Sequence, residues 1–152
     1  MDGEETKRLP YLPKNRKIIY INADNRFIGE ATKMLALGSG CAKQPTAAVI
    51  VKNGEIIGRG VNAGKKVDVC LRVIHNCPTG TGYEFCKTVC EQEGHCEVVA
   101  IHDALKKGNN PKGASIYLDG HWWVCKPCWD EIIKVGISRV FLRKDAMELY
   151  KK

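Results

Sequence analysis

The stretch "HCEVVAIHDALKKGNNPKGASIYLDGHWWVCKPCWDEIIKVGISRVFL", residues 95–142, switches repeatedly between two hydrophobic patterns. Apolar side chains first recur at the spacing of one helix face, then form a short β-rich run, and this order is repeated. The predicted elements are a helix, a strand, a helix and a strand, at residues 95–108, 113–120, 127–136 and 138–142. Strands that alternate with helices form a sheet covered by those helices, so the stretch predicts an α/β fold.

The segments on either side add two helices and a β-hairpin to this prediction. "NRFIGEATKMLALGSG", residues 25–40, has near-helical apolar spacing and ends in Gly38-Ser39-Gly40, where the helix is expected to stop. "TAAVIVKNGEIIGRGVN", residues 46–62, contains two β-rich runs joined at Asn53-Gly54, a dipeptide that suits the positive φ angles of a type I′ turn. "DAMELYKK", residues 145–152, predicts a terminal helix.

Length and composition indicate one globular domain. The 152 residues are enough for one hydrophobic core, and 44% hydrophobic and 27% charged residues are ordinary values for a globular protein. We therefore expect a single domain over residues 1–152. Residues at about 64–94 lack sustained periodicity and are rich in cysteine, which predicts an insert or long loop.

Charge, hydropathy and cysteine content limit the cellular compartments and the kinds of binding partner that we expect. No run approaches the roughly 18 apolar residues of a membrane span, and residues 1–17 contain no apolar signal core, so we expect a cytoplasmic protein without membrane contact. The net charge of +7 favours anionic partners such as nucleotides or nucleic acid, although the basic residues form no continuous stripe. Eight cysteines in such a protein favour metal ligation over disulfides.

Two short motifs predict a zinc site. His95 and Glu97 open one predicted helix, and Cys125 and Cys128 form a Cys-x-x-Cys pair at the start of the next. One imidazole and two thiolates are three good zinc ligands, which leaves the fourth tetrahedral position to water, as in a catalytic site. Helix N-termini favour thiolates. Glu97, beside the metal but not bound to it, is then the candidate general acid/base.

Each motif alone has a simpler interpretation. A Cys-x-x-Cys pair also occurs in structural zinc knuckles and redox pairs, and His-x-Glu at a helix end is usually solvated surface. Their order and their separation by a helix and a strand match the signature of zinc deaminases, His-x-Glu followed by Cys-x-x-Cys.

The chain resembles the cytidine deaminase superfamily and, more narrowly, the deoxycytidylate (dCMP) deaminases. The resemblance rests on four segments that cover most of the sequence: "SGCAKQPTAAVIVKNGEIIGRGVN", "CLRVIHNCPTGTGYEFC", "HCEVVAI" and "CKPCWDEIIKVGISRVFL". It implies a three-layer α/β/α sandwich with one mixed central sheet. It also implies zinc-dependent hydrolytic deamination of dCMP to dUMP and ammonia, with Glu97 as the proton carrier.

The same resemblance assigns further residues to the site. Asn62 is expected to hydrogen-bond the sugar or the base, and the backbone N–H of Cys96 to face the pyrimidine carbonyl. Tyr83 and Glu84 fall on the family's loop and are expected to shape the nucleotide pocket. Asn62 has an alternative role as a turn cap, because Asn is a frequent turn residue.

The chain departs from the family pattern beside the Cys-x-x-Cys pair. Val124 stands where the family usually has Pro, and the preceding "LDGHWWVC" is longer than the usual turn. Trp122 and Trp123 in that segment either stack on a base or reshape the pocket, or they pack in a core or subunit interface as large aromatics commonly do.

A second metal site is a further hypothesis. The irregular segment contains four cysteines, Cys70, Cys77, Cys86 and Cys90. Four thiolates can close a tetrahedral zinc site and order a glycine-rich loop, and some dCMP deaminases similarly carry a second, structural zinc. The alternative is that several of these cysteines are small buried side chains.

Two rival functions remain open on sequence grounds. The first is deamination of another substrate: a nucleoside, a modified pyrimidine nucleotide, or a base in tRNA or single-stranded DNA. The second is a non-catalytic, zinc-stabilised module that binds nucleic acid. Such a module would not need the carboxylate of Glu97. A mononucleotide fits better than a polynucleotide, because only 7% of residues are aromatic and stacking platforms would be scarce. The family resemblance also implies a homo-oligomer, with a hexamer as one form.

Overall fold

The computed structural model describes residues 11–36, 45–62 and 95–150, and these ranges form one five-stranded sheet and four helices. The strands are β1 (Ile18–Ile21), β2 (Ala47–Lys52), β3 (Glu55–Val61), β4 (Ser115–Asp119) and β5 (Arg139–Arg143). The helices are α1 (Arg26–Ala36), α2 (Cys96–Lys106), α3 (Lys126–Lys134) and α4 (Ala146–Tyr150).

The sheet is mixed, as predicted. Its strand order is β1-β5-β4-β2-β3. β5 runs parallel to both of its neighbours, β1 and β4, whereas β2 runs antiparallel to β4 and β3. The parallel pair β4 and β5 is connected by α3, the helical crossover that parallel strands require, and a tight turn suffices for β2 and β3.

Alternate residues of β4 face two different helical layers. Ile116 and Leu118 are buried in the core cluster to which α2 and α3 contribute. Tyr117 and Asp119 instead contact side chains of α1. Because successive side chains of a strand point to opposite faces, α1 covers one face of the sheet while α2 and α3 cover the other. This arrangement confirms the predicted three-layer sandwich.

The turn between β2 and β3 confirms the predicted hairpin. Asn53 and Gly54 both have positive φ angles, 53° and 78°. A type I′ turn requires positive φ at both central positions, which Asn and Gly tolerate best. The turn residues therefore place β3 directly beside β2, with Lys52 opposite Glu55.

Strand β1 is the element that the sequence patterns do not predict. It has only four residues, too few to show a clear alternation of apolar and polar side chains. Its partner is β5, with Ile18 opposite Val140, so the signal for its pairing lies far along the chain. β1 forms one edge of the sheet.

Two glycines let β3 pack closely on α2. A Cβ atom at Gly58 would lie 2.6 Å from the carbonyl oxygen of Ala100, and one at Gly60 would lie 2.5 Å from the carbonyl oxygen of Cys96. Backbone atoms cannot accommodate a Cβ atom at these distances, so any larger residue would push the helix away. The close approach fixes the first turn of α2 against the sheet.

The predicted helix stop at Gly38 to Gly40 and the predicted cysteine-rich insert lie outside the described residues. Within the ranges that are described, no helix combines the length and the apolar character that crossing a bilayer demands.

Candidate functional site

The three predicted metal ligands come together at one point of the fold. His95 Nδ1 lies 3.2 Å from the Sγ atom of Cys125 and 3.2 Å from that of Cys128. The two sulfur atoms are also 3.2 Å apart. The three ligand atoms therefore form a nearly equilateral triangle, although His95 is about thirty positions from the two cysteines in the sequence.

Two helix N-termini build this triangle. His95 is the N-cap of α2 and Cys125 is the N-cap of α3, and the two residues have almost the same backbone angles, φ −73°, ψ 160° and φ −72°, ψ 160°. Cys128 follows in the first turn of α3, where Pro127 favours helix initiation. Both positive dipole ends thus face the ligands, which favours ionised thiolates.

The donor set fits zinc. A tetrahedral zinc ion with bonds of about 2.0 Å to nitrogen and about 2.3 Å to sulfur would hold such atoms about 3.5 to 3.8 Å apart. Small outward movements of the three side chains would therefore admit the ion. Among the described residues, no fourth histidine, cysteine or carboxylate joins the triangle. Three protein ligands with one open position are the pattern of a catalytic zinc site.

The two thiols differ in how readily they ionise. The hydrogen bond between the two sulfur atoms, reinforced by His95, lowers the pKa of Cys125 to about 5 against the opposing effect of burial. The same hydrogen bond, together with burial, raises the pKa of Cys128 well above its usual range. The pair thus favours one thiolate, and binding of a cation favours loss of the second proton as well.

Glu97 lies beside the ligand triangle without belonging to it. It is in the first turn of α2 and only 6% exposed. Its Oε1 atom accepts a hydrogen bond of 3.1 Å from the buried thiol of Cys96. The Glu97 carboxylate also raises the pKa of both Cys125 and Cys128 electrostatically, so it lies close to the ligands. A buried, unligated carboxylate in this position can exchange protons with a molecule bound at the open ligand position.

Asn62 connects the end of β3 to the start of β2. Its side-chain Oδ1 accepts a 3.0 Å hydrogen bond from the backbone N–H of Thr46, and its own backbone N–H donates to the Thr46 carbonyl at 3.3 Å. Both residues are buried. In the structure, the Asn62 side chain thus bridges the end of β3 to the residue before β2.

A buried aspartate that the sequence patterns do not identify anchors the loop that leads to Cys125. Asp119, at the end of β4, accepts hydrogen bonds from the Thr32 hydroxyl at 2.6 Å and the Tyr150 hydroxyl at 2.7 Å. The Gly120 backbone N–H donates at 2.8 Å, and Arg143 forms an ion pair at 3.5 Å. In the sequence, the one signal for this cluster is an acidic residue at the end of a predicted strand. Its partners lie on α1, α4 and β5, far away in the chain.

Trp122 and Trp123 pack inward. They are 5% and 7% exposed and belong to the same core cluster as Cys128 and Trp129. The backbone N–H groups of both residues donate to Nδ1 of His121, at 3.0 and 3.3 Å, which gives the loop a compact turn. The geometry favours packing and shaping of the loop over stacking of these rings on a base.

Six predicted site residues lie outside the described part of the chain: Cys70, Cys77, Tyr83, Glu84, Cys86 and Cys90. The described residues therefore define the metal ligands, the neighbouring carboxylate and the frame around them. They leave the second metal site and the nucleotide loop as hypotheses.

A comparison with family profiles finds one match, described as the cytidine and deoxycytidylate deaminase zinc-binding region, over residues 21–144. The match includes the three ligands and Glu97. None of the curated protein sequences compared with the chain matches it.

Solved structures of deaminases resemble this fold. The dCMP deaminase of cyanophage S-TIM5 in its apo form is 21% identical with a TM-score of 0.53, over 82% of this chain and 86% of that one. The diaminohydroxyphosphoribosylaminopyrimidine deaminase/5-amino-6-(5-phosphoribosylamino)uracil reductase of Thermotoga maritima is 27% identical with a TM-score of 0.49, over 76% of this chain and 28% of that one. A guanine deaminase of Bacillus subtilis is 25% identical with a TM-score of 0.47, over 83% of this chain and 69% of that one.

Proposed function

The chain belongs to the cytidine and deoxycytidylate deaminase family and is a zinc-dependent hydrolase, and we propose that its substrate is dCMP, which it converts with water to dUMP and ammonia. The proposal of a catalytic site rests on one observation: Glu97 is buried and unligated beside the triangle of His95, Cys125 and Cys128. A purely structural zinc site has no use for such a carboxylate, which argues against a non-catalytic binding module.

The proposed roles follow from the placement of the side chains. His95, Cys125 and Cys128 would hold zinc, which supplies a Lewis acid that lowers the pKa of water toward neutrality. Glu97 takes a proton from the attacking water and delivers it to N3 of the pyrimidine, then transfers a proton to the leaving amino group. A C4–O bond forms and the C4–N4 bond breaks, so that dCMP and water give dUMP and ammonia.

The Cys96 thiol orients Glu97 in this proposal. Its hydrogen bond to Oε1 at 3.1 Å restricts rotation of the carboxylate and leaves Oε2 directed elsewhere for proton transfer. The backbone N–H of Cys96 is proposed to face the pyrimidine carbonyl, as the family resemblance implies. One residue would thus contribute to proton transfer through its side chain and to base recognition through its backbone.

The choice of a nucleotide rests on sequence features. The net charge of +7 favours an anionic substrate, and the segment "CLRVIHNCPTGTGYEFC" is similar to the loop of dCMP deaminases. Tyr83 and Glu84 in that loop are proposed to shape the nucleotide pocket, and Asn62 to hydrogen-bond the sugar or base. Other nucleotides, free nucleosides and bases in nucleic acid are the competing substrates.

A second, structural zinc bound by Cys70, Cys77, Cys86 and Cys90 is part of the proposal. Metal analysis tests it directly, because two sites predict two zinc ions per chain and the catalytic site alone predicts one. Replacement of Cys86 by Ala should remove one equivalent of zinc and much of the stability. Unchanged metal content in that variant would contradict the second site.

The deciding experiment measures ammonia release from dCMP, CMP, deoxycytidine, cytosine, dCTP and a short cytosine-containing single strand, with zinc content determined on the same sample. Selective turnover of dCMP is the expected result. Selective turnover of another compound would replace dCMP as the substrate. No turnover of any compound by the zinc-loaded protein would contradict a cytosine substrate.

A substitution of Glu97 by Gln tests the acid/base role. The amide cannot carry protons, so turnover should fall by at least about a hundredfold to ten-thousandfold while zinc content and fold are retained. Glu55→Gln is the matched control, because Glu55 is an exposed carboxylate in the β2–β3 hairpin and should be neutral. A Glu97→Gln variant as active as the Glu55→Gln control would contradict this assignment.

We also propose that the protein works in a reducing, cytoplasmic setting. Cys96, Cys125 and Cys128 are free thiols in the structure, and their proposed roles require the reduced form. Reducing compartments keep such thiols available for metal. Zinc content should therefore survive purification with a thiol reductant and fall after mild oxidation.

A homo-oligomer is the proposed assembly, with a hexamer as the form that the family resemblance implies. Leu105 on α2 is 50% exposed and Ile133 on α3 is 41% exposed, and these two helices pack against each other. Exposed apolar side chains on neighbouring helices are suited to burial against another subunit. Light scattering on the zinc-loaded protein measures the mass, and a strict monomer would contradict the proposal.

A further inference from the structure

A cavity lies at the end of the sheet where β1 and β5 begin. It has a volume of about 330 Å³, with Trp129 of α3 as part of its wall. β4 ends at Asp119, beside the loop to Cys125, whereas β5 starts at Arg139 and runs parallel to β4. The starts of β1 and β5 therefore lie at the other end of the strands from the loop to Cys125, while Trp129 of the wall directly follows the ligand Cys128 in α3.

The walls of this cavity are strongly basic. Arg16, Lys17 and Arg139 contribute cationic groups, and the described residues that line the cavity include no carboxylate. Asn15 and Ser138 add polar groups. A volume near 300 Å³ is at the small end for ligand pockets, so the cavity suits a compact anion better than an extended molecule.

Two of the cations are neighbours in the parallel register, Lys17 immediately before β1 and Arg139 at the start of β5. Ile18 of β1 is opposite Val140 of β5 in the parallel register, so the preceding residues, Lys17 and Arg139, are also neighbours. Neither side chain forms an ion pair with another described residue. Like charges at adjacent positions of a sheet repel each other, and a bound anion would remove that repulsion.

The third cation is fixed in place. One guanidinium nitrogen of Arg16, Nη1, donates a 2.9 Å hydrogen bond to the carbonyl oxygen of Ile137, in the turn before β5. This bond holds the guanidinium at the cavity and leaves its remaining N–H groups for another acceptor. A guanidinium held in this way is well suited to a phosphate, because its planar donors match phosphate oxygens in pairs.

We propose that this cavity binds a small phosphate-bearing anion, either free phosphate or the terminal phosphate of a nucleotide. Arg16 supplies oriented donors, and Lys17 with Arg139 supplies a paired positive charge. The binding involves no covalent step. It also does not depend on the proposed substrate, because none of the metal ligands lines this cavity.

The test is a titration of the full-length, zinc-loaded protein with inorganic phosphate, pyrophosphate and AMP in separate experiments. The side-chain indole N–H signals of the tryptophans in nitrogen-15 NMR spectra serve as reporters. Trp129 is on the cavity wall and directly follows Cys128, whereas Trp122 and Trp123 are in the loop next to Cys125, so the cavity substitutions described below decide whether a Trp129 shift comes from the cavity. A saturable shift of the Trp129 signal, with Trp122 and Trp123 unchanged, is expected for at least one of these anions. Tighter binding of AMP than of phosphate would identify a nucleotide phosphate, and the reverse order would identify free phosphate.

Substitutions localise the binding. Arg139→Ala and Lys17→Ala should each weaken it about tenfold, the usual consequence of losing one charged hydrogen-bond donor. Lys106→Ala is the matched control, because Lys106 is an exposed cation on α2, which packs at the opposite edge of the sheet, and it should leave binding unchanged. The proposal is overturned if no anion shifts Trp129, if only Trp122 and Trp123 respond, or if both cavity variants bind like the control.

Discussion

Replacing Tyr150 by Phe removes one hydroxyl group and tests the buried Asp119 cluster. In the structure, this hydroxyl donates a 2.7 Å hydrogen bond to Asp119, whose side chain is completely buried. The bond fastens the short helix α4 to the end of β4. Phe keeps the ring and its packing, so that the substitution isolates the hydrogen bond.

The expected size of the effect follows from the charge and burial of the acceptor. A hydrogen bond to a charged group contributes about 1.5–3 kcal/mol to stability. Asp119 retains its bonds from Thr32 and Gly120 and the ion pair with Arg143, so the carboxylate stays partly satisfied in the variant. We therefore expect the free energy of unfolding to fall by about 1.5–2 kcal/mol, at the low end of that range.

The effect should also depend on pH. Burial, followed by the bond to Asp119, raises the pKa of Tyr150 from 10.0 to about 12. Below pH 10, the hydroxyl is protonated in both the folded and the unfolded state, and its contribution is complete. As the pH rises from 10 to about 12, the unfolded state releases this proton first, so the contribution of Tyr150 is lost. The stability difference between the parent protein and Tyr150→Phe should shrink over that interval.

Urea unfolding followed by circular dichroism measures both effects, at pH 8 and then in steps toward pH 12. Tyr117→Phe is the matched control, because the Tyr117 ring stacks on Phe141 at 4.5 Å and that contact would persist. A loss in Tyr150→Phe no larger than in the control, or a difference that does not change with pH, would refute the reasoning.

Three other perturbations have defined outcomes. Gly60→Ala should lower the free energy of unfolding by about 2–3 kcal/mol in chemical denaturation, because its Cβ would lie 2.5 Å from the Cys96 carbonyl oxygen. A denaturation midpoint equal to that of the parent protein would contradict this close approach. Gly54→Ala should lower the free energy of unfolding by only about 1–2 kcal/mol in the same assay. A φ of +78° is unfavourable for alanine, but the space around this position is open. A loss larger than that of Gly60→Ala would contradict this comparison. Removal of zinc by a chelator should abolish turnover, and added zinc should restore it. In the zinc-free protein, maleimide should label Cys125 before Cys128, because Cys128 is fully buried. Peptide mapping by mass spectrometry measures the order of labelling, and the opposite order would argue against the described site.

The parts of the fold and site that local sequence signals encode were predictable. The Asn53-Gly54 turn has its conformation dictated by its own two residues, and the hairpin follows from it. The ligands His95, Cys125 and Cys128 were identifiable because zinc chemistry restricts both residue type and spacing. Glu97 was identifiable through its place two residues after His95.

The parts that depend on distant partners were not predictable from local patterns. β1 is recognisable as a strand only through its pairing with β5. Asp119 gains its role from hydrogen bonds with Thr32 and Tyr150, which are 87 and 31 positions away. Periodicity and motif spacing carry no information about such contacts, because these contacts arise only when the sheet and its helices have assembled.

The position of β1 has a consequence for how the protein reaches its native state. β2 and β3 are joined by a two-residue turn, so their pairing is local. The pairing of β1 with β5 instead brings Ile18 beside Val140, 122 positions later in the chain. Contacts between distant positions carry the larger loop-closure entropy and slow the search. We expect the hairpin to form early and the edge strand to dock late, after α3 has brought β5 beside β4. Because the basic cavity is formed by the starts of β1 and β5, it is completed only in this last stage, and a phosphate bound there would act on refolding by stabilising the docked strand.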